Sequence, residues 1–170
     1  MAAECLDATG RREAAVLSRR APRQRSRQIA LQVLYAMDSA RAGRDTGTRK
    51  ETIEETFESV ADHFDLPEGA RSFAAQLATG TTANLEGIDA LIGRHARNWR
   101  ISRMPAVDRN VLRLATYELL YTDTPDSVVI DQAIDLARRF GSDTSPPFVN
   151  GVLDAVARDR LPRSANSGAD

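Results

Sequence analysis

Arginine is the residue type on which this chain could do chemistry, and it is concentrated at one end. Positions 11, 12, 19, 20, 23, 25 and 27 are arginine, whereas the same stretch holds only Glu4, Asp7 and Glu13 as acids. Residues 1–27 therefore carry +4 and the remainder −5, within a formal net charge of −1. A planar guanidinium can hold phosphate at two points and stack on a base. A basic arm on an acidic body points to a polyanion at the arm and, more weakly, to a basic protein elsewhere. Lys50 is the only lysine. A GC-rich genome also raises arginine without any function, an explanation that fits the body better than the cluster.

The residues needed for other chemistry are scattered. Hydrolysis generally requires a nucleophile beside a base, a carboxylate pair in a pocket, or metal ligands. His63 and His95 fall on different predicted helices with no cysteine nearby, so each reads as an exposed or hydrogen-bonded histidine and no metal is expected. Asp131 and Asp135 share one helix face, which reads as its wet side. No phosphate-cradling glycine motif occurs, and Trp99 reads as a core anchor rather than a base-stacking platform. No catalytic residue, metal or cofactor is expected, so the chain is read as a non-enzyme. Cys5 is the single cysteine, which leaves no internal disulfide. No apolar run approaches the 18 or so residues of a membrane span, nor does the arginine-broken N-terminus form a signal peptide. A cytoplasmic protein is expected.

The elements that must position the arginines read as helices throughout. At 170 residues and 42% hydrophobic, the chain can build one sizeable core. Low aromatic content and sparse β-branched runs favour an all-α fold. Residues 1–22 read as a flexible basic extension and 163–170 as a disordered tail. Helix 1 is expected from about Arg25, with Ile29, Val33, Leu34 and Met37 on one face. Helix 2 is expected over about 51–64, and a long helix 3 from Glu68 towards Arg97, with Gly80 and Gly87 implying close packing or a break. Helix 4 starts near Pro105. Helix 5 spans about 127–140, burying Ile130, Ala133, Ile134 and Ala137 and stopping at Gly141 as a left-handed cap. Helix 6 is capped by Ser145, with Pro146 in its first turn.

Three stretches resemble one known family. The first is Arg25-Ser26-Arg27-Gln28-Ile29-Ala30-Leu31-Gln32-Val33-Leu34-Tyr35, an arginine-rich start feeding an alanine-leucine helix. The second is Val107-Asp108-Arg109-Asn110-Val111-Leu112-Arg113-Leu114-Ala115-Thr116-Tyr117-Glu118-Leu119. The third, and most specific, runs from Val128 to Gly141 and continues as Phe148-Val149-Asn150-Gly151-Val152-Leu153-Asp154. Together they are similar to the NusB family of bacterial transcription antitermination factors, over about Arg23 to Arg158. Departures from the family pattern fall at Ser26, at Asp131-Gln132, and at Thr144 and Pro147, where members commonly carry Asp and a polar or basic residue.

The resemblance implies an all-α fold of two small packed helical bundles, helices 1–3 and helices 4 onward, within a domain of residues 23–162. It also implies binding of a boxA-type single-stranded RNA with the ribosomal small-subunit protein NusE. The pair would act on the RNA polymerase elongation complex with other Nus factors, supporting processive transcription of ribosomal RNA operons. Carried over residue by residue, Arg19, Arg20, Arg23, Arg25 and Arg27 fall in the RNA-binding start, Phe148 and Asn150 near an RNA-facing loop, and Tyr35 and Asp108 on the partner face. Phe148 also suits a core position, and Asn150 a semi-buried amide bonded to backbone. Two other readings stand beside this one. One is a NusB-like domain related to ribosomal RNA cytosine methyltransferases, which requires a long methyltransferase region absent from these residues. The other is a protein-interaction module with an unused arm. If Arg23, Arg25 and Arg27 each neutralise one phosphate, replacing all three should flatten the salt dependence of RNA binding by about 2 units.

Overall fold

The computed structural model describes the backbone of residues 8–43 and 52–160, and the side chains of 22–43 and 52–160. Among them are seven α-helices, one short 3-10 turn and no strand. The helices are α1 (Ala8–Ala42), α2 (Ile53–Ala61), α3 (Glu68–Ala83), α4 (Leu85–His95), α5 (Ala106–Tyr121), α6 (Asp126–Phe140) and α7 (Ser145–Asp159). The chain divides into two compact units, one up to Ala83 and one from Asn84. The expected tail, 163–170, lies outside the described residues.

In the first unit α1 packs on α2 and α3. Ile29, Ala30, Val33 and Leu34 are buried as the period requires, and the small side chains Ala70, Ala74 and Ala78 line α3, allowing close backbone approach. Ser26 is fully buried, and its hydroxyl lies 2.8 Å from the Ala70 carbonyl, bonding the two helices directly. A serine here therefore exchanges the apolar contact of an alanine for an interhelical hydrogen bond. The helix begins at Ala8, well before the expected Arg25, and carries Pro22 internally. The start of α2 is set by a capping box that the expected boundary missed. The Glu55 amide donates to Thr52 Oγ1 at 3.2 Å and the Thr52 amide to Glu55 Oε2 at 3.0 Å.

The expected long third helix is two helices, because Asn84 sits at φ −108°, ψ 15° and interrupts the α-helical geometry between Gly80 and Gly87. The break also moves the boundary between units: α4 belongs with α5 to α7, not with α1 to α3. Gly87 faces open space, so close packing is not its role.

In the second unit α5 contacts α4, α6 and α7, and residues 111–119 are continuously buried, as a helix surrounded on all sides requires. Its one buried cation, Arg113, is satisfied by a two-pronged pair with Asp89 of α4, both contacts at 2.7 Å. At the other end Arg160 bonds both oxygens of Asp126 at 2.5 Å and also donates to the Leu119 carbonyl, tying the end of α7 to α5 and α6. Along α6 the buried residues are Val129, Ala133, Leu136 and Ala137, while Ile130 and Ile134 are only half-buried. The buried stripe is turned from the expected one because α6 packs against α5 and α7 together.

Two local expectations change at the α6–α7 junction. Gly141 is not left-handed: its φ is −95°. Glycine is needed there for space, since a Cβ would fall 2.5 Å from Ser145 Oγ and 2.7 Å from the Ala137 carbonyl oxygen. Ser145 does not cap α7 from outside but begins it, with Thr144 in the cap position and Pro in the first turn.

Candidate nucleic-acid interface

On the first unit the expected arginines separate into three environments. Arg19 and Arg20 lie on α1, but their side chains are outside the described residues. Arg25 is exposed. Arg23 and Arg27, one helical turn apart, both meet Phe73 of α3, with guanidinium carbons 4.4 Å and 5.6 Å from the ring centroid. Arg23 remains exposed at the surface, whereas Arg27 is only 4% exposed. Arg23 and Arg25 are thus the two of the matched trio that present charge to solvent. Phe73 is half-buried and serves as an aromatic seat for cations. Sequence alone gave no signal for that pairing, because the two positions lie on different helices.

On the second unit, Phe148 in the first turn of α7 is half-buried and meets Trp99 edge to face, ring centroids 6.1 Å apart and planes at 63°. Trp99 is 52% exposed, so it is not the core anchor expected. It precedes the 3-10 turn Ile101–Arg103 and lines a cavity of about 620 Å³ together with Gly93, Arg97, Asn98 and Arg100. An indole half in water among arginines offers a π-face to a flat ligand and cations to its charge. Asn150 is exposed on α7 and so does not fill the semi-buried role its type suggested. Thr144 and Pro147 are exposed as well. In the loop before α7, the Ser142 amide donates to Ser145 Oγ at 2.9 Å, and the Ser142 and Thr144 hydroxyls lie 3.1 Å apart.

The two expected partner-facing residues differ sharply. Tyr35 is 46% exposed on α1. Asp108 is 4% exposed in the first turn of α5, and its Oδ1 has no hydrogen-bond partner among the described residues. His63 donates from Nδ1 to the Ser59 carbonyl at 2.7 Å, and His95 Nε2 pairs with Asp159 at 2.9 Å. Among the described residues no group of three or more His, Cys, Asp or Glu could hold a metal ion, and no helix is long and apolar enough to cross a membrane.

Two helical units, the first presenting arginines from α1 and the second an exposed indole packed on half-buried Phe148 beside arginines, define an all-α protein with cationic and aromatic surface. The chain belongs to the NusB family, whose model matches residues 24–158. It is 44% identical over 141 residues to the transcription antitermination protein NusB of Solibacter usitatus, covering 82% of this chain and 90% of that protein. Among solved structures it is similar to T. maritima NusB, at a TM-score of 0.73 and 38% identity, over 82% of this chain and 93% of that one. It is also similar to a chain in the crystal structure of antitermination factors NusB and NusE in complex with double-stranded RNA, at a TM-score of 0.70 and 29% identity. That match covers 82% of this chain and 98% of the other.

Proposed function

We propose that this chain is a non-enzymatic, cytoplasmic transcription antitermination factor that binds a boxA-type single-stranded RNA together with NusE. In this reading the pair joins the RNA polymerase elongation complex with other Nus factors and supports processive transcription of ribosomal RNA operons. The observation that carries it is the likeness, over nearly the whole of that chain, to a chain of the NusB–NusE structure solved with double-stranded RNA. The binding domain runs from residue 23 through α7, and the basic stretch before it continues α1 back to Ala8.

Arg23 and Arg25, with Arg19 and Arg20 earlier on the same helix, neutralise backbone phosphates, contacts that position RNA without reading its bases. Arg27, one turn on from Arg23 and buried near the same Phe73 ring, does not face solvent and holds no phosphate. Phe148, seated against Trp99, offers an aromatic edge and face to unstacked bases, and exposed Asn150, two residues further along α7, offers an amide from a different side of the helix. Tyr35 supplies an exposed amphipathic anchor for the protein partner, whereas the Asp108 carboxylate is buried in the first turn of α5 and does not present itself to one.

Titrating labelled boxA RNA with this chain, with and without NusE, tests the reading, with scrambled and double-stranded RNA as controls. Tight, salt-dependent binding that NusE strengthens and that favours the single strand is expected. Equal, weak binding to all the RNAs in both conditions would overturn it.

A further inference from the structure

We propose that Phe73 is a positioning residue for RNA binding, its ring holding the Arg23 guanidinium in the pose that meets a backbone phosphate; this rests on the RNA-binding reading above. An exposed arginine ordinarily samples many rotamers, and each phosphate contact must first restrict them. Here the guanidinium lies 4.4 Å from the Phe73 ring centroid while the side chain remains exposed. An aromatic ring against one face leaves the in-plane N–H donors and the opposite face available, so a phosphate can be gripped at two points without the seat being given up.

The surroundings make that seat firm. Phe73 is half-buried on α3 between Ala70 and Ala74, both packed in the first unit's core. Arg27, 5.6 Å from the same ring, is buried and leaves the outward approach to Arg23. Ser26, bonded to the Ala70 carbonyl, fixes the register of α1 on α3 at the same level. A leucine could fill the volume but has no quadrupole to attract a cation, so the ring itself is what the proposal requires.

Binding of a labelled boxA-type single-stranded RNA should be measured in the presence of NusE for the wild type, Phe73→Leu, Phe73→Tyr, Arg23→Ala and the Phe73→Leu/Arg23→Ala double variant. Phe73→Leu should weaken binding about 2- to 5-fold, the worth of an exposed cation–π contact, and Phe73→Tyr should restore it. In the Arg23→Ala background Phe73→Leu should cost nothing further, because the group it positions is gone. Thermal unfolding verifies the fold, and Phe73→Met, with its adaptable thioether, replaces the leucine variant if that one fails to fold. Wild-type affinity in the leucine or methionine variant, or losses that multiply in the double variant, would overturn the proposal while leaving the RNA reading intact. Absence of wild-type binding would instead remove the reading on which it rests.

Discussion

Ser142 and Ser145 clasp each other across the start of α7: the Ser142 amide donates to Ser145 Oγ at 2.9 Å, and the Ser145 amide donates to the Ser142 carbonyl at 3.0 Å. The clasp closes directly over Gly141, whose missing side chain makes room for it. Gly141→Ala should therefore cost about 2 kcal/mol, within the usual range for overpacking, measured by urea denaturation. Adding Ser145→Ala should not rescue it, because the Ala137 carbonyl oxygen and the Cβ of residue 145 both lie 2.7 Å from the new methyl. Full recovery in the double variant would show that the hydroxyl alone sets the constraint.

Burial separates the roles of Arg25 and Arg27. Arg27→Ala removes a side chain only 4% exposed and seated near Phe73, so it should cost about 1–3 kcal/mol of stability. Arg25→Ala should leave stability within about 0.5 kcal/mol and flatten the dependence of RNA affinity on salt by about 0.7 in log units. The triple replacement of Arg23, Arg25 and Arg27 should then flatten that slope by about 1.4 rather than 2, since only two of the three face solvent. A loss of 2 units with unchanged stability would return Arg27 to the phosphate-holding set.

What could be read in the sequence was what depends on local period and punctuation. Val149, Val152, Leu153 and Val156 recur at helical spacing and all are buried, and Pro105 stands immediately before α5 as expected. The misreadings have tertiary causes. Asn84 breaks a helix whose apolar pattern continues on both sides, with Leu77 and Ile88 both buried. The glycine at 141 was legible as a helix stop, but its reason, contact with Ser145, needed the turn to be folded. Trp99 is of a type common in cores yet half exposed, and it lies between α4 and the 3-10 turn, where no helical period indicates which side faces inward. The pairing of Arg23 with Phe73 joins residues on two helices whose facing sides no single-helix period reveals.

Acid should act on the contact between the ends of α4 and α7. Asp159 accepts a hydrogen bond from His95, which holds its carboxyl below the ordinary value of 3.8; desolvation opposes this in part, and the charges of Arg94 and His95 add to it. Because the folded value is the lower one, the interaction stabilises the fold above pH 3.8 and is lost as pH falls through the folded value. Carboxyl NMR titration should place the Asp159 midpoint below 3.8, and His95→Ala should move it back upward. An unmoved midpoint in the variant would mean that the histidine bond is not formed in solution.

Trp99 and Phe148 should affect RNA recognition in the same direction but stability differently. The indole is 52% exposed, so Trp99→Ala removes little buried area and should shift the melting temperature only slightly. Phe148 is half-buried against that indole, and Phe148→Ala should lower the melting temperature further. If both rings stack on bases, each replacement should weaken boxA binding by about 1–3 kcal/mol and bring boxA closer to scrambled RNA. The salt slope should stay nearly constant, because neither ring neutralises a phosphate. Measuring affinity at several salt concentrations for both RNAs distinguishes this from simple unfolding, which weakens every RNA alike. Retained discrimination in a folded Trp99→Ala variant would move base reading away from this patch and leave Trp99 as a surface residue packed on Phe148.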